Sequence, residues 1–166
     1  VQPSYQFIKA LLNNEEGLHI DKDHFMTISP DEGSMSRAIY LANVLGVDMG
    51  MYYKRLDYSR YVNGRHPIAA YEFLGPKLEG KDMILIDDMI SSGDTIIKIA
   101  SLLKEKGAGK VYICSTFGFF TDGLEKFDEA HKKGYFDKLL TTNLVYQSPE
   151  LLEKPYYISC DMSKYI

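Results

Sequence analysis

Residues 83–115 restrict the fold more than any other part of this chain. Four consecutive apolar residues, Met83, Ile84, Leu85 and Ile86, read as a strand covered on both faces. A polar turn follows from Asp87, and a helix is predicted over residues 95–106, stopped by Gly107. Residues 111–115 are again strand-like. Strand, helix and strand in that order form a βαβ unit, whose two strands lie parallel with a right-handed crossover. Such sheets carry helices on both faces, and their ligands bind beyond the carboxyl ends of the strands. The candidate site is therefore residues 87–95.

The rest of the chain repeats the alternation. A helix is predicted over residues 3–12, with Phe7, Ile8, Leu11 and Leu12 on one face, and a strand over 24–29 ended by Pro30. Met35, Ile39, Ala42 and Leu45 recur at helical spacing up to Gly46. Strands are predicted at 48–54 and 68–74, the latter a short strand or flap arm. Residues 56–67 between them have no clear period and read as a long mobile loop. A helix over 124–133 and a strand over 138–142 follow. The expected fold class is α/β, a mainly parallel sheet flanked by helices, in one domain spanning residues 1–166.

Charge narrows the function. The net charge of -4 argues against a general nucleic-acid binder, although Lys54, Arg55, Arg60 and Arg65 form a local basic group. Cys114 and Cys160 lack metal-type spacing and read as buried free thiols of a reducing compartment. The sequence shows no signal segment and no apolar run of membrane-spanning length, so the cytoplasm is the default expectation. Val1 is not an initiator methionine, and residues 161–166 look like a helix opening that stops abruptly. The chain reads as a piece of something longer.

The turn has its own chemical logic. An apolar strand delivers Asp87 and Asp88 to the sheet edge, where carboxylates can accept hydrogen bonds from vicinal sugar hydroxyls. Ser91, Ser92, Gly93, Asp94 and Thr95 then lead into a helix N-terminus, whose unpaired amides and dipole favour a phosphate. Gly93 is expected to let the backbone approach that phosphate without a Cβ in the way. Carboxylates at one end and a phosphate cradle at the other match a phosphorylated pentose. The competing reading is a capped helix whose serines merely close the turn, although two adjacent acids at a buried strand end are costly without a partner.

The stretch resembles the phosphoribosyl-binding signature of the type I phosphoribosyltransferase fold, and within it that of the ribose-phosphate diphosphokinases. Ser29-Pro30-Asp31-Glu32-Gly33, followed by Arg37, resembles that family's pyrophosphate loop. Tyr53-Lys54-Arg55 before a long loop resembles its catalytic basic loop. The resemblance covers about residues 21–142 and implies a place in the C-terminal part of a longer two-domain chain. It implies that Asp87 and Asp88 hold the ribose hydroxyls and residues 91–95 the 5-phosphate. It further implies that Asp31 is a magnesium ligand and that Lys54 and Arg55 are catalytic, with ATP as co-substrate. The missing N-terminal half and neighbouring subunits of a homo-oligomer would complete the ATP site.

Leu56 stands where the family carries a second arginine, and Asp94 where many members have glycine. Two other readings stay open: a phosphoribosyltransferase of nucleotide salvage, and a non-catalytic regulatory relative that keeps the ribose 5-phosphate site. His19, His24, His66 and His131 show no ligand spacing and read as surface or packing residues. Phe117, Phe119 and Phe120 either line the mouth of the site or fill core.

Overall fold

Central strands buried on both faces and one-sided apolar faces on the helices assemble a single sheet with helical layers on both sides. The computed structural model describes residues 3–163. Its strands are β1 (Phe25–Ser29), β2 (Asp48–Leu56), β3 (Ile68–Leu74), β4 (Asp82–Ile90), β5 (Val111–Gly118), β6 (Lys138–Thr142) and β7 (Tyr157–Cys160). Its helices are α1 (Ser4–Asn14), α2 (Met35–Leu45), α3 (Asp94–Glu105), α4 (Glu125–Lys132) and the short α5 (Pro149–Leu152). The sheet order is β3-β2-β1-β4-β5-β6-β7. Neighbours are parallel except β2 and β3, which form an antiparallel edge hairpin.

Alternation along the strands feeds two cores. Ile84, Ile86, Tyr112, Cys114 and Leu140 point to one face, where Phe7, Ile8 and Leu11 of α1 and Ala38 and Leu41 of α2 cover them. Met83, Leu85, Ile113 and Leu139 point to the other, against Ile99 and Leu103 of α3 and Phe127 of α4. Burying each such side chain fully contributes about 1.5–3 kcal/mol, so two faces of them dominate the stability of the domain. Gly46 takes the left-handed conformation that ends α2 (φ 68°), as its position predicts. Among the described residues no helix is long and apolar enough to cross a membrane.

Several boundaries differ from the sequence reading, and β2 and β5 run on to Leu56 and Gly118. β4 does not stop at Ile86 but continues through Asp87, Asp88 and Met89 to Ile90, because β5 pairs with it as far as Ile90 opposite Gly118. Residues 143–160, which carried no distinct pattern, contain α5 and β7. Residues 57–67 hold internal structure: Asp57 N–H donates to Pro67 O, Val62 bridges Arg65, and His66 packs between Tyr58 and Tyr61 at 4.9 and 5.0 Å. The helix expected over 161–166 falls largely outside the described residues, although Asp161 Oδ1 accepts from Ser163 N–H as a cap would.

Candidate functional site

The sheet order reverses between β1 and β4: one side continues to β2, the other to β5. Such a switch point opens a crevice at the carboxyl ends of the strands. Here the opening has a definite cause. β1 pairs with β4 only as far as Ile28 opposite Leu85, then turns away at Pro30. The last residues of β4 therefore project with one edge open, held by β5 alone. A cleft of about 200 Å³ fills this gap. Asp31 lines it from the loop after β1, Lys54 from β2, and Asp87 from the open end of β4. Ser91, Ser92, Gly93 and Thr95 complete it, with Met89, Ile90 and Ile96 beside them.

Three stations that lie far apart in sequence thus meet in one place. Because Asp87 and Asp88 sit on a strand and not in a turn, their side chains leave opposite faces of the sheet. Asp87 faces the cleft. Asp88 faces α2 and pairs with Arg37 (2.9 Å), half exposed, so of the two acids only Asp87 lines the cleft. The same alternation separates Lys54 from Arg55. Lys54 lines the cleft, whereas Arg55 Nε donates to Glu72 Oε1 at 3.0 Å on the other face of the hairpin. Glu32 and Gly33 form an exposed single turn of 3₁₀ helix with Ser34, capped by Asp31.

The phosphate end is a strand-to-helix turn. Gly93 adopts φ +89° before α3. A Cβ there would meet Phe127 ring carbons at 2.5 Å, so this glycine is required by its backbone conformation and by the packing of α4 beneath it. Its expected role of clearing a path for the phosphate is corrected accordingly. Gly93 brings no capping side chain, and Ser92 Oγ accepts only from Asp94 N–H at 3.3 Å. The first-turn amides of Thr95 and Ile96 have no intrahelical acceptor, and both residues line the cleft. Asp94 points away: Lys126 Nζ pairs with it at 2.8 Å, and that hydrogen bond holds its carboxyl below the usual range. The Asp94 charge is thereby drawn away from the cleft.

Asp87 is the perturbed group of the site. Burial pushes its carboxyl above the ordinary value, opposed by hydrogen bonds from Ser34 Oγ (2.6 Å) and Asp88 N–H (2.7 Å), while the charges of Asp31 and Asp88 add to the rise. Ser34 and Lys126 escaped the sequence reading. A serine at a helix start reads as a cap, and a lysine on α4 reads as a solvated face. The histidines pack or lie on the surface as expected: His24 pairs with Asp21, and His131 stacks near Phe136 and Tyr156. Phe120 packs on Phe127 and Phe119 is half exposed, and none of the three phenylalanines lines the cleft.

A mainly parallel sheet with helices on both faces and a cleft at its switch point defines the class of doubly wound α/β domains. The phosphoribosyl transferase domain family matches residues 5–154, and the chain belongs to that family. Within it the fold is of the ribose-phosphate pyrophosphokinase type. The chain is 32% identical over 121 residues to the ribose-phosphate pyrophosphokinase of Thermococcus kodakarensis, covering 72% of this chain and 39% of that relative. It superposes on phosphoribosylpyrophosphate synthetase from Mycobacterium smegmatis with TM-score 0.72 and 21% identity, over 98% of this chain and 47% of the other. Adenine phosphoribosyl transferase from Trypanosoma brucei matches with TM-score 0.52 and 14% identity, over 98% of this chain and 65% of that one. The chain thus spans 39% of the length of the first of these relatives.

Proposed function

We propose that this chain is the ribose 5-phosphate-binding domain of a ribose-phosphate diphosphokinase, which transfers the diphosphoryl group of magnesium-ATP to the 1-hydroxyl of ribose 5-phosphate. The observation that carries this reading is the convergence of Asp31, Lys54 and the segment 87–95 on one cleft. The ribose hydroxyls bind at Asp87, and the 5-phosphate at the amides of Thr95 and Ile96 with the Ser91, Ser92 and Thr95 hydroxyls. The 1-hydroxyl oxygen attacks the β-phosphorus. The bond from that phosphorus to the α–β bridging oxygen breaks, and AMP leaves. Such transfer depends on positioning and charge neutralisation more than on a covalent nucleophile. Lys54 supplies a cation at the cleft wall for the negative charge of the diphosphoryl group.

The donor set also fits magnesium. That ion binds through one or two carboxylates plus substrate phosphates, and Asp31 and Asp87 both face the cleft. Their mutual repulsion, part of what raises the Asp87 carboxyl, is what a cation relieves. Among the described residues no group of three or more metal-ligating side chains occurs, so phosphates and water would complete the shell. Bound there, magnesium would neutralise phosphate charge. The adenine pocket would come from a preceding half and from neighbouring subunits of a homo-oligomer. The free buried thiols, raised by burial (Cys160 to about 12), support a reducing, cytoplasmic setting.

A phosphoribosyltransferase of salvage would need a segment to recognise a base. Residues 4–14 and 149–160 instead build and cover the sheet, as α1 and as α5 with β7. A second reading has one observation in its favour. Arg55 is engaged by Glu72 and Leu56 follows it, which suits a regulatory relative that binds without turnover. Product analysis separates the three. The complete protein, given ATP and ribose 5-phosphate, is expected to release AMP and phosphoribosyl diphosphate, and residues 1–166 alone to release none. Diphosphate release from phosphoribosyl diphosphate plus a base, with no AMP formed from ATP, would establish the salvage reading. Binding without turnover, restored by Leu56→Arg, would establish the regulatory one.

A further inference from the structure

Ser34 occupies the N-cap position of α2, where a serine ordinarily accepts a hydrogen bond from a first-turn amide. Here the side chain makes no capping bond. Its hydroxyl donates instead to Asp87 Oδ1 at 2.6 Å, across 53 positions of sequence. The Ser34 N–H donates to Asp31 Oδ1 at 2.9 Å. A single residue, 3% exposed, therefore holds one carboxylate from the loop after β1 and one from the end of β4. Asp87 Oδ1 also accepts from Asp88 N–H, so two donors fix that oxygen and leave Oδ2 as the one available to a ligand.

We propose that Ser34 is a positioning residue that locks the Asp87 carboxylate to receive the ribose hydroxyls and ties it to the diphosphate loop at Asp31. The inference rests on the reading of the cleft as a ribose 5-phosphate site. Attachment of α2 does not require the Ser34 hydroxyl. Ala38 and Leu41 already bury that helix against the sheet, and Thr27 Oγ1 donates to Ala38 O at 2.9 Å. The Ser34 bond is directed at a group of the cleft. A carboxylate held by a neighbour's hydroxyl is preorganised, and a binding group left to rotate loses affinity it would otherwise give the ligand.

The test is a calorimetric titration of the complete protein with ribose 5-phosphate in magnesium buffer, for wild type, Ser34→Ala, Ser34→Thr, Asp87→Ala and the Ser34→Ala/Asp87→Ala double variant. Ser34→Ala is expected to weaken binding by about tenfold, the lower range for loss of an orienting partner. In turnover, KM for ribose 5-phosphate is expected to rise by a similar factor while kcat stays within about threefold. In the Asp87→Ala background the added Ser34→Ala change is expected to cost less than about twofold, because its target is gone. Ser34→Thr, which keeps the hydroxyl, is expected to bind like wild type. An equal loss in both backgrounds would overturn the proposal. So would Ser34→Thr binding as poorly as Ser34→Ala with an unchanged unfolding midpoint. A wild-type protein that takes up no ribose 5-phosphate defeats the reading of the cleft itself, an outcome visible before any variant is compared.

Discussion

At the scale of the residue, Asp87 bears the conflict between stability and function. Burial raises its carboxyl, and the charges of Asp31 and Asp88 raise it further. A carboxyl raised on folding favours the fold in its protonated form. That contribution is complete below the unfolded value and is lost as pH climbs through the folded one. Ionised Asp87 at neutral pH therefore destabilises the free protein, and a hydroxyl-rich ligand or a cation offsets this. Asp87→Asn keeps an oxygen for Ser34 and Asp88 to donate to and removes the buried charge. Its unfolding midpoint at pH 7 is expected to rise by about 2–4 °C, the shift that ~1 kcal/mol gives in a domain of this size. The gain should shrink as pH falls toward the ordinary carboxylate range, while ribose 5-phosphate binding is weakened at every pH. Calorimetry showing a lower midpoint at pH 7 would contradict the assignment of Asp87 as a strained, functional acid.

At the scale of the element, strand alternation decides which members of each sequence pair reach the cleft. β2 turns Lys54 toward α3 and Arg55 toward Glu72. The Arg55 pair is exposed on both sides, and such pairs contribute only about 0–1 kcal/mol. Lys54→Ala is therefore expected to lower the rate of AMP formation by about a hundredfold or more, the scale seen when one preorganised charge-stabilising group is removed. Arg55→Ala is expected to stay within about tenfold, with little change in stability. Equal losses in the two variants, measured under saturating substrates, would show that the hairpin rearranges to bring Arg55 inward. The open edge of β4 follows the same logic. It exists because β1 stops pairing with β4 at Leu85, five residues short of Ile90, where β5 stops pairing.

At the scale of the whole molecule, the layered α/β plan was legible because short unbroken apolar runs alternate with segments of helical period. The turn at residues 87–95 was legible because strand, acids, serines and glycine lie contiguous in sequence. What escaped depends on three-dimensional neighbours. The extension of β4 through two acids requires β5 beside it, and it alone reveals that Asp87 and Asp88 face opposite ways. The tether from Ser34 to Asp87 and the pairing of Asp94 with Lys126 join residues far apart in the chain. β7 was missed because its four residues, Tyr157–Cys160, are too few to show a period.

The central claim is that a ribose phosphate lies across the end of β4 and the start of α3. Amide nuclear magnetic resonance during titration with ribose 5-phosphate tests this most directly, on the complete protein with isotope-labelled backbone. Saturable shifts are expected at Ser91, Ser92, Gly93, Thr95 and Ile96, with a matching change at the Asp87 carboxyl carbon. Shifts confined to other surfaces, or none at these residues at saturating ligand, would contradict it.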